Sequence, residues 1–105
     1  MTKIKVKSKN TLYNLADLFK NFSDSTRVKI LYTLIEKEKT VNEISLSIEM
    51  NQSAVSHQLR ILKDSKLIKS RKDGKNVYYS LNDYHVHDIL KDGIEHVEEK
   101  NKGGN

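Results

Sequence analysis

The stretch Gln52-Ser53-Ala54-Val55-Ser56-His57-Gln58-Leu59-Arg60-Ile61-Leu62-Lys63-Asp64-Ser65, with the Lys66 to Leu81 segment that follows it, decides the fold. Val55, Leu59 and Leu62 recur at spacings of four and three, so Gln52–Ser65 predicts a helix with one apolar face. The period then changes. Leu67–Arg71 and Asn76–Leu81 read as strands, and Asp73-Gly74 between them marks a hairpin turn. A helix with a small, polar first turn, followed by a basic two-stranded hairpin, is the second half of a winged helix-turn-helix.

The rest of that unit lies upstream. Thr11–Phe22 carries Leu12, Leu15, Ala16, Leu18, Phe19 and Phe22 at helical spacing. Ser23 reads as the N-cap of a helix over Asp24–Ile35. Thr40 is placed to cap Val41–Ile48, with Glu43 completing a capping box. The short break Glu49-Met50-Asn51 then leads into Gln52. Downstream, a last helix starts near Asn82 and runs to about Lys100, with Val86, Ile89, Leu90, Gly93, Ile94 and Val97 as its apolar stripe. The expected fold is mainly α with a β-hairpin wing: a winged helix-turn-helix forming a homodimer with the last helix at the interface. Residues 1–10 are expected as a flexible basic arm, 11–100 as the DNA-binding and dimerisation domain, and 101–105 as a disordered tail.

Charge separates two regions within this single domain of 105 residues. The formal net charge is +5. Residues 60–75 hold seven basic and two acidic side chains; residues 83–100 hold six acidic and two basic ones. The first region suits phosphate and the second suits cations. The chain has no cysteine, which excludes disulfides, thiolate metal sites and a cysteine nucleophile. No apolar run approaches the roughly 20 residues needed to span a bilayer. The N-terminus lacks the apolar core of a secretory signal, so a cytoplasmic location is expected.

The first turns of the Gln52 helix offer donors and acceptors small enough to enter a major groove. Gln52, Ser53, Ser56 and His57 are the candidates for base edges, and Gln58 and Arg60 for phosphates. Lys69, Arg71, Lys72 and Lys75 on the hairpin are expected to grip phosphate or a minor groove. Each feature alone has a plainer reading. A polar helix start is often just a capped, solvated turn, lysines protect edge strands, and His57 could be a hydrogen-bonded structural histidine. Together and in this order they favour double-stranded DNA.

Asp83, His85, His96 and Glu99 make the second constellation. His85 and His96 lie eleven residues apart, within roughly 20° of one another around a helix but about 16 Å apart along it. A zinc–nitrogen bond is about 2 Å long, so one ion cannot reach both from one straight helix. Two antiparallel copies would bring the Asp83/His85 end of one to the His96/Glu99 end of the other, giving two symmetric sites of two imidazoles and two carboxylates. His87 lies about 200° around from His85 and is expected outside the site; Asp88 and Asp92 lie nearer the stripe but midway along it. The bland alternative is a pair of exposed histidines. The donor set suits Zn(II), with Co(II) fitting the same cage, and requires neutral imidazoles, so affinity should fall toward about pH 6.

Several stretches are similar to the ArsR/SmtB family of metal-sensing repressors. Ser53–Arg60 with Leu62-Lys63 resembles its recognition helix, Asp24–Leu31 its second-helix pattern, and Gly74–Leu81 its wing. The similarity covers about residues 11–100. The resemblance implies a homodimer that occupies operator DNA, represses genes of metal efflux or sequestration, and leaves DNA when metal binds. One branch of the family senses through cysteines in the third helix; Thr40–Ser47 here has none, so a thiolate site for arsenite, cadmium or lead is not expected. Another branch uses an Asp-x-His pair and a later His-x-x-(His/Glu) pair on the last helix. Asp83-Tyr84-His85 and His96-Val97-Glu98-Glu99 match both, implying Asp83 and His85 from one subunit and His96 and Glu99 from the other. The resemblance further suggests a hydrogen bond from the non-ligating nitrogen of His96 toward the backbone near the recognition helix. The competing readings are a metal-independent winged-helix regulator with a vestigial quartet, a metalloenzyme, and a winged helix used for protein contacts. Four available ligands with no evident general base or substrate pocket argue against an enzyme or a small-molecule substrate.

Overall fold

A computed structural model describes residues 8–102, so Met1–Lys7 of the expected basic arm and Gly103–Asn105 of the expected tail lie outside the described residues. The order is α1 (Lys9–Asn21), α2 (Ser25–Glu36), α3 (Val41–Ile48), α4 (Gln52–Asp64), β1 (Ile68–Asp73), β2 (Asn76–Leu81) and α5 (Tyr84–Lys102). This is the expected sequence of elements. The first helix starts two residues before Thr11 because the Ser8 side chain caps it, accepting from the Thr11 N–H. The last continues through Lys102, since no Gly or Pro follows Gly93 until Gly103.

Side chains fix the helix starts. Thr40 and Glu43 form the expected reciprocal capping box at α3. Asn51 accepts from the Ala54 N–H at the start of α4. Two expected caps are corrected by one residue. Asp24, not Ser23, caps α2 by accepting from the Arg27 N–H; the Ser23 hydroxyl instead donates to the Lys20 carbonyl, closing α1. Asp83, not Asn82, caps α5: the Val86 N–H donates to its Oδ1 at 3.1 Å. The Asn82 backbone N–H is already spent on the Leu67 carbonyl beside the sheet (3.0 Å).

The helix ends are as specific. After α4, Lys66 adopts a left-handed φ of 61°. Its N–H donates to the Lys63 carbonyl and the Leu67 N–H to the Leu62 carbonyl, both at 3.0 Å. This is a Schellman ending with lysine where glycine is usual. Glu49, with φ 56°, turns the chain between α3 and α4 in a similar way.

One core joins α2, α3, α4, β1 and α5. Ile30, Leu31, Leu34, Ile44, Val55, Leu59, Leu62, Leu67, Ile68, Val86 and Leu90 are buried together, including the three apolar positions expected of the recognition helix. α1 reaches this core through Leu18 and Phe22. Its other large apolar side chains remain in the open: Leu12, Leu15 and Phe19 are 47%, 46% and 52% exposed.

The hairpin is antiparallel, with Ile68 opposite Leu81 and Asp73 opposite Asn76. Gly74 takes φ 63° at the first of the two loop positions, and Lys75 does not share the positive φ, the pattern of a type II′ turn. Lys39 adds a third short rung: its N–H and carbonyl pair with the carbonyl and N–H of Tyr79 at 2.9 and 2.8 Å. The Lys39 ammonium donates to the Thr33 carbonyl near the end of α2 at 2.6 Å, where a helix terminus attracts positive charge.

Candidate nucleic-acid interface and metal centre

α4 presents its polar side away from the core. Val55, Leu59 and Leu62 anchor it, which turns Gln52, Ser53, Ser56, His57 and Arg60 outward to line one shallow open depression. Four of them are the candidates for base edges and the fifth a candidate for phosphate. Gln52 is also braced, its amide donating to Asn42 Oδ1 of α3 at 2.9 Å. Gln58, a candidate for phosphate, is tethered within the protein. It is half-buried, and its carbonyl accepts from Arg27 Nε at 3.0 Å. Arg27 also donates to Asn21 Oδ1 at the end of α1 (2.9 Å). Gln58 therefore ties the recognition helix, through Arg27, to α1 and α2.

Strand alternation divides the wing into two faces. Tyr79 lines a groove with Ser56, Arg60 and Lys63 of α4, and its cross-strand partner Ser70 and the Lys72–Val77 pair share that face. Lys69, Arg71 and Asp73 lie on the opposite face with Tyr78 and Ser80. Lys69 and Ser80 there line a groove against Leu34, Glu38, Asp83 and His87. Arg71 is engaged by Glu38 through two hydrogen bonds, one from Nε at 2.9 Å and one from Nη2, and its guanidinium carbon lies 4.7 Å from the Tyr78 ring centroid. The Glu38 hydrogen bonds hold the Arg71 guanidinium above its ordinary range, and Arg71 holds the Glu38 carboxyl below its own. Of the four hairpin cations expected on DNA, Lys69, Lys72 and the turn residue Lys75 are exposed without such an ion pair between described residues, Lys69 on the face turned from α4, whereas Arg71 is paired with Glu38. Glu38 and Arg71 are 33 residues apart, and no local spacing in the sequence announces the pair.

At the last helix, Asp83 and His85 come together and His96 and Glu99 lie far along α5. Asp83 Oδ1 is 3.7 Å from His85 Nδ1, and the His85 side chain is 92% exposed. The Val86 N–H, then the Asn82 amide, hold the Asp83 carboxyl below its ordinary range, which keeps it in the anionic form a metal ligand needs. Capping does not exhaust this carboxylate, since each oxygen has two lone pairs. His96 and Glu99 are one helical turn apart, both exposed. No three His, Asp or Glu side chains of one protomer converge to hold an ion among the described residues. His87 sits off this stripe, with Nδ1 3.2 Å from Asp88 Oδ1. Two imidazoles and two carboxylates, all exposed and unobstructed, fit a borderline divalent cation in their chemistry.

Comparison with known proteins identifies the family of the chain. Residues 24–70 match the family described as bacterial regulatory protein, arsR family. The chain is 36% identical over 94 residues to a transcriptional repressor SmtB homolog from Synechocystis, covering 90% of this chain and 71% of the relative. It is 42% identical over 93 residues to a cadmium resistance transcriptional regulatory protein CadC homolog from Staphylococcus aureus, covering 88% and 77%. The solution structure of a homodimeric winged helix-turn-helix DNA-binding domain from Mycobacterium bovis superposes with a TM-score of 0.82 at 24% identity, covering 94% of this chain and 92% of that one. The chain belongs to the ArsR/SmtB family of bacterial transcriptional repressors. It is a DNA-binding regulator with a winged helix-turn-helix, and not an enzyme. No helix among the described residues is long and apolar enough to cross a membrane.

Proposed function

We propose that this repressor works in the cytoplasm as a homodimer that holds operator DNA in the metal-free state and releases it on binding Zn(II), with Co(II) able to fill the same sites. Asp83 and His85 of one protomer and His96 and Glu99 of its partner would hold the ion. The observation that carries this reading is the pairing of donors with an open helix face. The two donor pairs sit at opposite ends of α5, and Gly93 between them faces open space, with nothing within 4 Å of where a Cβ would stand. Glycine inside a helix costs about 1 kcal/mol relative to alanine, a cost that a close helix–helix crossing would offset. The exposed Leu12, Leu15 and Phe19 of α1 supply further apolar surface for the same interface.

When bound, the ion supplies a cross-link between subunits. The chain's own residues do the rest. Asp83 stays ionised as the α5 cap, His85 lies beside it, and the Arg27 network ties α1 and α2 to the recognition helix through Gln58. Half-sites on one DNA face lie about 34–36 Å apart, so a small rotation at the interface moves both recognition helices off register. Release requires that metal favour the ill-fitting geometry, and DNA must then weaken metal binding by the same factor. The CadC homolog is named for cadmium resistance; the absence of cysteine here points away from a thiolate cage and toward a nitrogen–oxygen one.

The test is fluorescence anisotropy on a duplex selected by the metal-free protein from a randomised pool, titrated with Zn(II). The wild type should lose DNA affinity about 5- to 150-fold, the usual range of allosteric coupling. His96→Ala should bind DNA as the wild type does and ignore zinc. A His96→Ala protein still released by zinc would refute the site.

A further inference from the structure

We propose that Arg71 is a wing-positioning residue held by Glu38, and that Lys72 and Lys75 make the wing's phosphate contacts. The inference rests on DNA binding alone and is independent of the metal reading. The Arg71 guanidinium is spoken for on three sides. Glu38 accepts from Nε and Nη2, Asp73 Oδ2 lies 3.8 Å from Nη1, and the Tyr78 ring packs against its face. Two carboxylates around one guanidinium leave the cluster with a net charge of −1, so it offers phosphate no attraction. Bidentate pairing and ring stacking fix a planar guanidinium in both direction and tilt, which a lone lysine ammonium could not do.

The position of this cluster gives it leverage. Glu38 sits in the α2–α3 connection next to Lys39, whose backbone pairs with Tyr79. The hairpin is thus pinned to the helical body twice, by the Lys39–Tyr79 rung and by the Glu38–Arg71 ion pair. Tyr79 faces Ser56, Arg60 and Lys63 of the recognition helix, so the angle of the hairpin decides where Lys72, on that same face, stands relative to a phosphate backbone bound by α4. Arg71 lies on the other face.

Glu38→Gln separates the alternatives by sign. If Arg71 contacted phosphate, removing its competing carboxylate would free it and strengthen DNA binding. If Arg71 positions the wing, the same change weakens binding. The measurement is the affinity of the full-length protein for a mixed-sequence duplex across a salt series, with thermal midpoints as a check on folding. Glu38→Gln and Arg71→Gln should each weaken binding roughly fivefold, and the double variant should be no worse than either single one. The slope of log affinity against log salt should stay at the wild-type value in all three. Lys72→Gln should reduce that slope by about 0.9 for every phosphate contact removed. The exchanged pair Glu38→Arg with Arg71→Glu should recover part of the affinity. Tighter binding by Glu38→Gln, a reduced slope for Arg71→Gln, or additive losses in the double variant would each overturn the proposal. A wild type with no salt-dependent duplex binding would instead remove the DNA-binding premise.

Discussion

Asp83 does two jobs that one substitution can separate. Its Oδ1 caps α5 by accepting from the Val86 N–H, and the same carboxylate is a proposed metal ligand beside His85. Serine caps helices about as well as aspartate but brings no anion. Asp83→Ser is therefore expected to keep the thermal midpoint within a few degrees while lowering zinc affinity at least tenfold, read by competition with a chromophoric chelator. Losing even a group that only supports a metal ligand costs about 10- to 100-fold in affinity, which sets the scale. The caps also give the molecule a signed response to acid. Asp83, Glu43 and Glu38 all have carboxyls held below their ordinary range, by the Val86 N–H, the Thr40 N–H and Arg71 respectively. A depressed folded-state value means stability that is fully present above the unfolded carboxyl range, about pH 4, and lost as pH falls through the lowered values. Thermal midpoints should be flat from about pH 7 to about pH 5 and fall below about pH 4. Residues with a local signature were legible in the sequence: Thr40 with Glu43, and the Asp83/His85 and His96/Glu99 spacings. Arg71 and Gln58 were not, because their partners Glu38 and Arg27 lie 33 and 31 residues away and a free arginine and a tethered one look the same in a sequence.

Elements were more legible than residues because periodicity is summed over many positions. The switch from a helical period in Gln52–Asp64 to paired strands after Leu67 placed the wing, and the buried Val55, Leu59 and Leu62 follow that pattern. Boundaries moved where the expected capping residue already had another partner, the Ser23 hydroxyl on the Lys20 carbonyl and the Asn82 N–H on the Leu67 carbonyl. The left-handed positions were hidden for a different reason: Glu49 and Lys66 carry side chains where glycine would signal the turn. A left-handed conformation costs a non-glycine residue about 1–2 kcal/mol, partly offset by the greater freedom glycine has when unfolded. Lys66→Gly is accordingly expected to stabilise the fold by about 0.5–1 kcal/mol, a rise of a few degrees in the thermal midpoint of a domain this size. A fall in the midpoint would mean that the lysine side chain, not the backbone turn, matters at this position.

At the scale of the whole molecule, one protomer is an unfinished object. It is flat, with a shortest extent of 20 Å, about two helix diameters. It leaves apolar side chains of α1 exposed and carries half of each proposed metal site on α5. Both features call for a second copy, and that requirement makes the central claim testable without knowing the operator. One variant, Asp83→Ser with His85→Ala, keeps the His96/Glu99 half of each site. Another, His96→Ala with Glu99→Gln, keeps the Asp83/His85 half. Each homodimer alone then lacks a complete quartet, whereas a heterodimer after subunit exchange contains one intact site built across the interface. The deciding measurement is the zinc bound by the two variants, separately and mixed. Weak binding by each alone, with tight binding that grows in proportion to the heterodimer formed, is the predicted result. A mixture that binds no more zinc than the sum of its separate variants, or either variant holding zinc as tightly as the wild type, would contradict the account.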